Sequence, residues 1–133
     1  MKKYVFLLLA ATVAASCKPS GKSPGPESTA RAVFEEFNAH NWSAMEELYD
    51  NDVIFTDPAY PEPKKGKEGM TDWYKTVPDI YDEVKAVYVS GDVVTVQFVS
   101  TGTENGKKFK KSICSVLIVR NGKIIKDDTY YDL

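Results

Sequence analysis

The chain of 133 residues is poor in the residues that build most chemical sites. It has one histidine, His40, and two cysteines, Cys17 and Cys114. That is too few nitrogen and sulfur ligands for a zinc site, so no metal is expected, and nothing in the chain implies a cofactor. A thiol nucleophile would need His40 as its base, but His40 falls in a connection and reads as a turn residue. Cys114 sits in the β-prone run Ile113–Val119 and reads as a buried apolar thiol. With Cys17 outside the fold, no disulfide framework is possible. Arginine is scarce too, with only Arg31 and Arg120. The one basic cluster, Lys107, Lys108, Lys110 and Lys111 around Phe109, suits edge protection of a strand and not nucleic-acid recognition. The longest apolar run, Tyr4 to Val13, is too short for a stable membrane span.

What the chain does have begins with an address. Lys2 and Lys3, the apolar run and Ala14-Ala15-Ser16 have the charged, greasy and small-residue zones of a secretory signal peptide over 1–16. Ala-Ala-Ser-Cys resembles the lipobox of bacterial lipoproteins, which implies lipidation of Cys17 and a membrane anchor. Residues 17–27 are rich in Pro, Gly, Ser and Lys and read as a flexible tether. Lys18 stands where some bacteria place an inner-membrane retention Asp, which points to the cell envelope and to its outer membrane. Loss of Lys2 and Lys3 lowers the basic count from 17 to 15 against 19 acidic residues, a net charge of −4.

Residues 28–133 form the folded part. Ser28 and Thr29 can cap a helix with the apolar stripe Ala30, Val33, Phe34, Phe37. Ser43 to Glu46 is a capping-box pattern opening a second, short helix. A β-prone run, Asp52 to Thr56, stops at Asp57-Pro58, where proline removes a ladder donor. Met70, Trp73, Tyr74 and Val77 then predict a third helix, Lys67 to Val77, closed by Pro78. After it come four strand patterns, Val84–Ser90, Val93–Thr101, Lys108–Arg120 and Lys123–Asp132. They are separated by Gly91-Asp92, Asn105-Gly106 and Asn121-Gly122, the last two being strong hairpin signals. Such long strands must curl. The expectation is an α+β cone: three N-terminal helices packed in a strongly curved antiparallel sheet, a four-stranded meander plus one short strand. Asp57 would then sit beside an apolar cavity, where burial makes a carboxylate a better proton acceptor. An ordinary solvated Asp-Pro turn is the alternative.

This order of elements resembles the NTF2-like superfamily, especially its SnoaL-like and ketosteroid-isomerase-like members. Four patches carry it: Phe37-Asn38-Ala39 through Trp42, Asp52-Val53 through Asp57-Pro58, Gly66-Lys67-Glu68-Gly69, and Gly122-Lys123-Ile124 through Tyr131-Asp132. The resemblance implies a general base at Asp57. It also implies an oxyanion hole, but the matching positions hold Val33 or Phe34 and Ser115 or Val116, so steroid isomerisation is not expected. An epoxide-hydrolase relay would need an arginine between two aspartates, and neither Arg31 nor Arg120 is so placed. Cyclases of the family use a late-strand acid. Here period-two alternation puts Asp128, Tyr130 and Asp132 on one side of the last strand and Asp127, Thr129 and Tyr131 on the other. The sequence does not say which side faces inward. The expected ligand-binding set is Tyr60, Trp73, Tyr74, Tyr88, Tyr130 and Asp132.

Three functions follow as expectations. The first is a lipid-anchored module binding a small, largely apolar ligand. The second is a cofactor-independent isomerase or cyclase using Asp57, with oxyanion donors from Tyr74, Tyr88 or Ser115. The third is a protein-interaction module, with a homodimer expected through the outer sheet face.

Overall fold

The computed structural model describes residues 21–133. The expected signal peptide, Cys17 and the first part of the tether lie outside them. The chain forms an α+β fold: α1 (Pro26–Asn38), α2 (Trp42–Glu47), β1 (Tyr49–Thr56), β2 (Lys64–Lys65), a 3₁₀ turn (Tyr74–Thr76), β3 (Tyr81–Ser90), β4 (Val93–Glu104), β5 (Lys107–Arg120) and β6 (Lys123–Tyr130). The six strands make one sheet in the order β2-β1-β6-β5-β4-β3. Strands β3 to β6 are the expected antiparallel meander. Strand β1 joins it parallel to β6, and β2 caps the outer edge of β1.

Helix α1 starts earlier than expected. Pro26 occupies its first turn and Gly25 is the N-cap, because proline has no N–H to leave unsatisfied there. Ser28 therefore bonds back to the Gly25 carbonyl, and Thr29 is buried with its hydroxyl unpartnered. At the other end His40 takes a left-handed φ of 55°. The bonds His40 N–H to Phe37 O and Asn41 N–H to Glu36 O close α1 as a Schellman motif. The His40 ring stacks on Trp42 and its Nε2 bonds the Ile80 carbonyl at 2.9 Å, so this turn residue also ties the end of α1 to the residue preceding β3. Helix α2 begins at Trp42 with no side-chain cap. Glu46 is not in a capping box; it accepts a hydrogen bond from Thr71.

The third helix does not form. Gly66 and Gly69 both have positive φ, 87° and 70°, which a continuous right-handed helix cannot include. Lys67 to Val77 instead runs through turns into the Tyr74–Thr76 3₁₀ turn, so the described residues hold two α-helices. The apolar spacing still works, since turns of three residues return side chains to the same side. Val77 is fully buried and Tyr74 packs on the core.

The curled sheet wraps α1. Along β4 the inward residues are Val94, Val96, Phe98, Ser100 and Gly102. Their partners on β5 are Leu117, Ser115, Ile113, Lys111 and Phe109. One end of this face is apolar and solid, built on Val94, Leu117, Val119 and Ile124, all 2% exposed or less. The other end carries serines and charged groups and stays open. Asn105-Gly106 and Asn121-Gly122 make the two expected hairpins, with positive φ at both central residues, as a type I′ turn requires. Cys114 is half-buried on the opposite face, across from Tyr130, and is not a core thiol.

Gly102 fits where a side chain would not. A Cβ there would lie 2.8 Å from both Val77 Cγ1 and the Phe109 ring. Gly102→Ala is expected to destabilise the fold by about 1–3 kcal/mol, read from urea or thermal unfolding. An unchanged midpoint would show that the ring and Val77 move aside freely.

Candidate active site

A cavity of about 420 Å³ occupies the open end of the cone. Its walls are α1 (Val33, Phe34, Phe37), the segment Met70 to Tyr74, and the inward faces of β4, β5 and β6. Three aspartates line it: Asp57, Asp82 and Asp127.

Asp57 follows β1, where Pro58 ends the strand. Its Oδ1 accepts the Ala59 N–H at 2.8 Å and the Tyr131 hydroxyl at 2.6 Å. Burial, and then this bond to Asp57, raise the Tyr131 phenol above its usual range, so it stays a donor.

Asp127 reaches the same cavity from β6. Parallel pairing puts Phe55 beside Asp127 and Thr56 beside Asp128, which brings the two aspartates to the same end of neighbouring strands. Oδ2 of Asp127 accepts the Tyr49 hydroxyl at 3.1 Å, and Oδ1 accepts the Thr129 hydroxyl at 3.1 Å. The Ser115 hydroxyl lies 3.0 Å from Thr129 Oγ1. Because Thr129 gives its proton to Asp127, Ser115 must donate to Thr129. Burial pushes the Asp127 carboxyl up to about 6, and the two hydroxyl donors offset part of that effect. Burial also raises Tyr49 and Tyr74, with Asp127 adding to both, so these phenols keep their protons.

Asp82 opens β3. Its backbone N–H and C=O both bond the Asn38 amide at 2.8 Å, which pins α1 to the strand. The side chain is 7% exposed, and its Oδ1 has no hydrogen-bond partner. Burial raises its pKa to about 6, against a partial offset from Ser100, its cross-strand neighbour. Among the described residues no three His, Cys, Asp or Glu side chains come together to hold a metal ion.

Of the residues expected to form the site, Asp57, Tyr60, Trp73 and Tyr74 line the cavity. Trp73 stands at the rim, 43% exposed, and donates from Nε1 to Glu104 at 2.7 Å. Tyr88, Tyr130 and Asp132 do not line it. Strict alternation from Asp82 would turn Tyr88 inward, but a bulge between Val84 and Ala86 reverses the facing. Tyr88 ends 59% exposed. On β6 the pairing of Asp127 with inward-facing Leu117 makes Asp127, Thr129 and Tyr131 the inner set. Tyr130 therefore points outward, and Asp128 pairs with Lys126 at 2.8 Å. Of the donors expected to replace the missing ones, Tyr74 and Ser115 reach the cavity. Sequence reasoning missed Tyr49, Asp82 and the inward choice on β6. One usable signal was Asp82 two residues before Val84 on a strand face otherwise apolar.

With this geometry in hand, comparison identifies the family. The SnoaL-like domain profile matches residues 30–126, and the chain belongs to that family. Among curated proteins none matches significantly. Similar folds include IdmH of Streptomyces antibioticus, described as a candidate polyketide cyclase. It is 23% identical at a TM-score of 0.68, with 80% of this chain and 91% of that one covered. A protein of ketosteroid-isomerase-like fold from Catenulispora acidiphila, in complex with trimethylamine, is 24% identical at a TM-score of 0.70 (83% and 88% covered). A candidate polyketide cyclase from Pseudomonas putida is 19% identical at a TM-score of 0.68 (83% and 93% covered). These likenesses show the NTF2-like fold.

The raised Asp82 predicts a pH signature. A carboxyl whose folded pKa exceeds its unfolded value of 3.8 binds more protons folded than unfolded between the two. The contribution of Asp82 to stability is thus fully present below about pH 4 and is lost as pH rises through about 6. The loss approaches roughly 2–3 kcal/mol. Asp82→Asn is expected to remove this component from the unfolding free energy measured between pH 4 and 8. Parallel pH profiles for the two proteins would contradict it.

Proposed function

We propose that the domain is a cofactor-independent proton-transfer catalyst of the isomerase or cyclase type, acting on a small, largely apolar carbonyl compound. The observation that supports it best is that Asp57, just past the end of β1, and Asp127, on the parallel neighbour β6, line one cavity with protonated phenols. Two carboxyls in different environments divide acid and base roles. The absence of donors at Val33, Phe34 and Val116 favours a binding role only if nothing replaces them. Tyr74 can, since it lines the cavity and burial keeps its phenol protonated.

In this reading Oδ2 of Asp57 takes the proton from the carbon next to the carbonyl, while Tyr131 holds Oδ1. The C–H electron pair becomes the enolate double bond, and the oxygen accepts a hydrogen bond from Tyr74. Isomerisation returns the proton to another carbon. In ring closure the enolate carbon attacks a second carbonyl, and the acid form of Asp127 protonates the new alkoxide. A pKa near 6 suits both giving and regaining that proton near neutral pH. Ligand binding without chemistry is the second reading, favoured by the apolar wall of Phe34, Phe37 and Met70.

Deuterium exchange into 2-tetralone in D₂O, followed by NMR, tests the base. Catalysed exchange is expected, and Asp57→Asn should slow it about 10²–10⁴-fold. Exchange indifferent to that substitution rejects Asp57; binding without exchange leaves the second reading.

We further propose a lipid anchor at Cys17, placing the domain in the cell envelope, on the outer membrane, at the end of the 17–27 tether, and pairing of two domains through the outer sheet face. No described helix is long and apolar enough to cross a membrane. Cys17→Ser should move the protein from the membrane to the soluble fraction, and sedimentation should then give about twice the mass of one chain. Retention on membranes would reject the anchor, and a single-chain mass the pairing.

A further inference from the structure

The charge in the cavity is unbalanced. Asp57, Asp82, Asp127 and Glu104 line it, with Lys111 as the single cation in the wall. Lys111 forms no ion pair with any of them, its Nζ lying 4.8 Å from the centre of the Tyr131 ring. Lys67, nearby in sequence to the cavity segment, spends its ammonium on the Glu46 and Tyr49 carbonyls at 3.1 Å. The ion pairs of the described residues, such as Arg31–Glu27 and Lys126–Asp128, involve none of the four acids. Asp57 and Asp127 are held by neutral donors only.

Asp82 is the most telling of them. It is more than nine-tenths buried, it lines the cavity, and one carboxylate oxygen has no partner at all. A buried carboxylate with an unpaired oxygen is costly unless a positive charge lies close by. The surrounding walls are aromatic: Phe37 and Tyr74 meet edge to face at 5.0 Å, and Trp73 leans on Tyr74 at 5.5 Å. Ring faces attract cations, most strongly where water is excluded.

We infer that the ligand of this cavity is an organic cation, a substituted ammonium carried on an apolar body, with its charge facing Asp82 and its substituents against Phe37 and Tyr74. This names the substrate class of the proposed site and rests on that site being one for small molecules. The compound would then carry both an ammonium group and the carbonyl at which Asp57 acts. The other groups around Asp82 leave the site negative. Tyr49 and Tyr74 are neutral and Asp127 is acidic. On the far side Arg31 is committed to Glu27 at 2.8 Å, and Glu35, Glu83 and Tyr81 share the groove with it.

Calorimetry on the full chain with benzyltrimethylammonium and with the neutral 4-tert-butylbenzyl alcohol, of similar size, tests the inference. The probe cation has a permanent charge, so only the protein titrates. At pH 8 the cation should bind at least tenfold more tightly than the alcohol. From pH 8 to pH 5 its affinity should fall at least tenfold as Asp82 and Asp127 take up protons, with the alcohol changing less than twofold. Asp82→Asn should lower cation affinity about tenfold at pH 8 and leave the alcohol unaffected. Should that variant not fold, Asp127→Asn and the pH series on the unaltered chain carry the same reading. Equal binding of the two probes at pH 8, no loss at pH 5, or binding of neither overturns the inference. Catalysed tetralone exchange without a preference for the cation removes the substrate class and keeps the catalyst. Cation preference without exchange supports the ligand class and removes the catalyst.

Discussion

The parallel pairing of β1 with β6 is the constraint on which the rest depends. An antiparallel meander alone would leave β6 as an edge strand with both faces negotiable. Hydrogen-bonded on one side to β5 and on the other to β1, β6 has a single register, and a shift of one residue would turn every side chain over. That register puts Asp127, Thr129 and Tyr131 inside and Asp128 and Tyr130 outside. It also brings Tyr131 to Asp57, residues 74 positions apart. The open end of the cone owes its chemistry to this one contact between the start and the finish of the fold.

The gradient along the sheet is the second element. Positions on one face of β4 and β5 run from Val94 and Leu117 to Ser100 and Lys111. Where the residues are branched and apolar they fill the space beneath α1. Where they are small or polar the space stays empty. A cavity of this kind follows from composition along a strand and needs no special loop. Gly102 extends the same logic, because its missing Cβ is the room the Phe109 ring occupies.

How much of this was readable beforehand depended on the range of the forces involved. Hairpins with Asn-Gly corners are local, and β3 to β6 lie where their turn residues indicate. Asp57-Pro58 ended β1 as written, for the same reason. The third helix failed because apolar spacing ignores backbone handedness, and Gly66 and Gly69 both adopt left-handed φ. Tyr88 was misassigned by a bulge, which alternation cannot register. Asp82 carries one faint local mark, an acid on an otherwise apolar strand face, and Tyr49 carries none; only α1 closing over β3, and Asp127 arriving from the far end of the chain, give them partners. The side of β6 that faces inward is likewise a long-range fact, and no local pattern holds it.

One wall of the chamber has a property of its own. Asp82 and Phe34 border both the interior cavity and the outer groove between α1 and β3. These two side chains belong to the wall between them. A molecule sealing the mouth would still leave this acid bordering the outer groove, so protons could enter and leave from behind while the front stays shut.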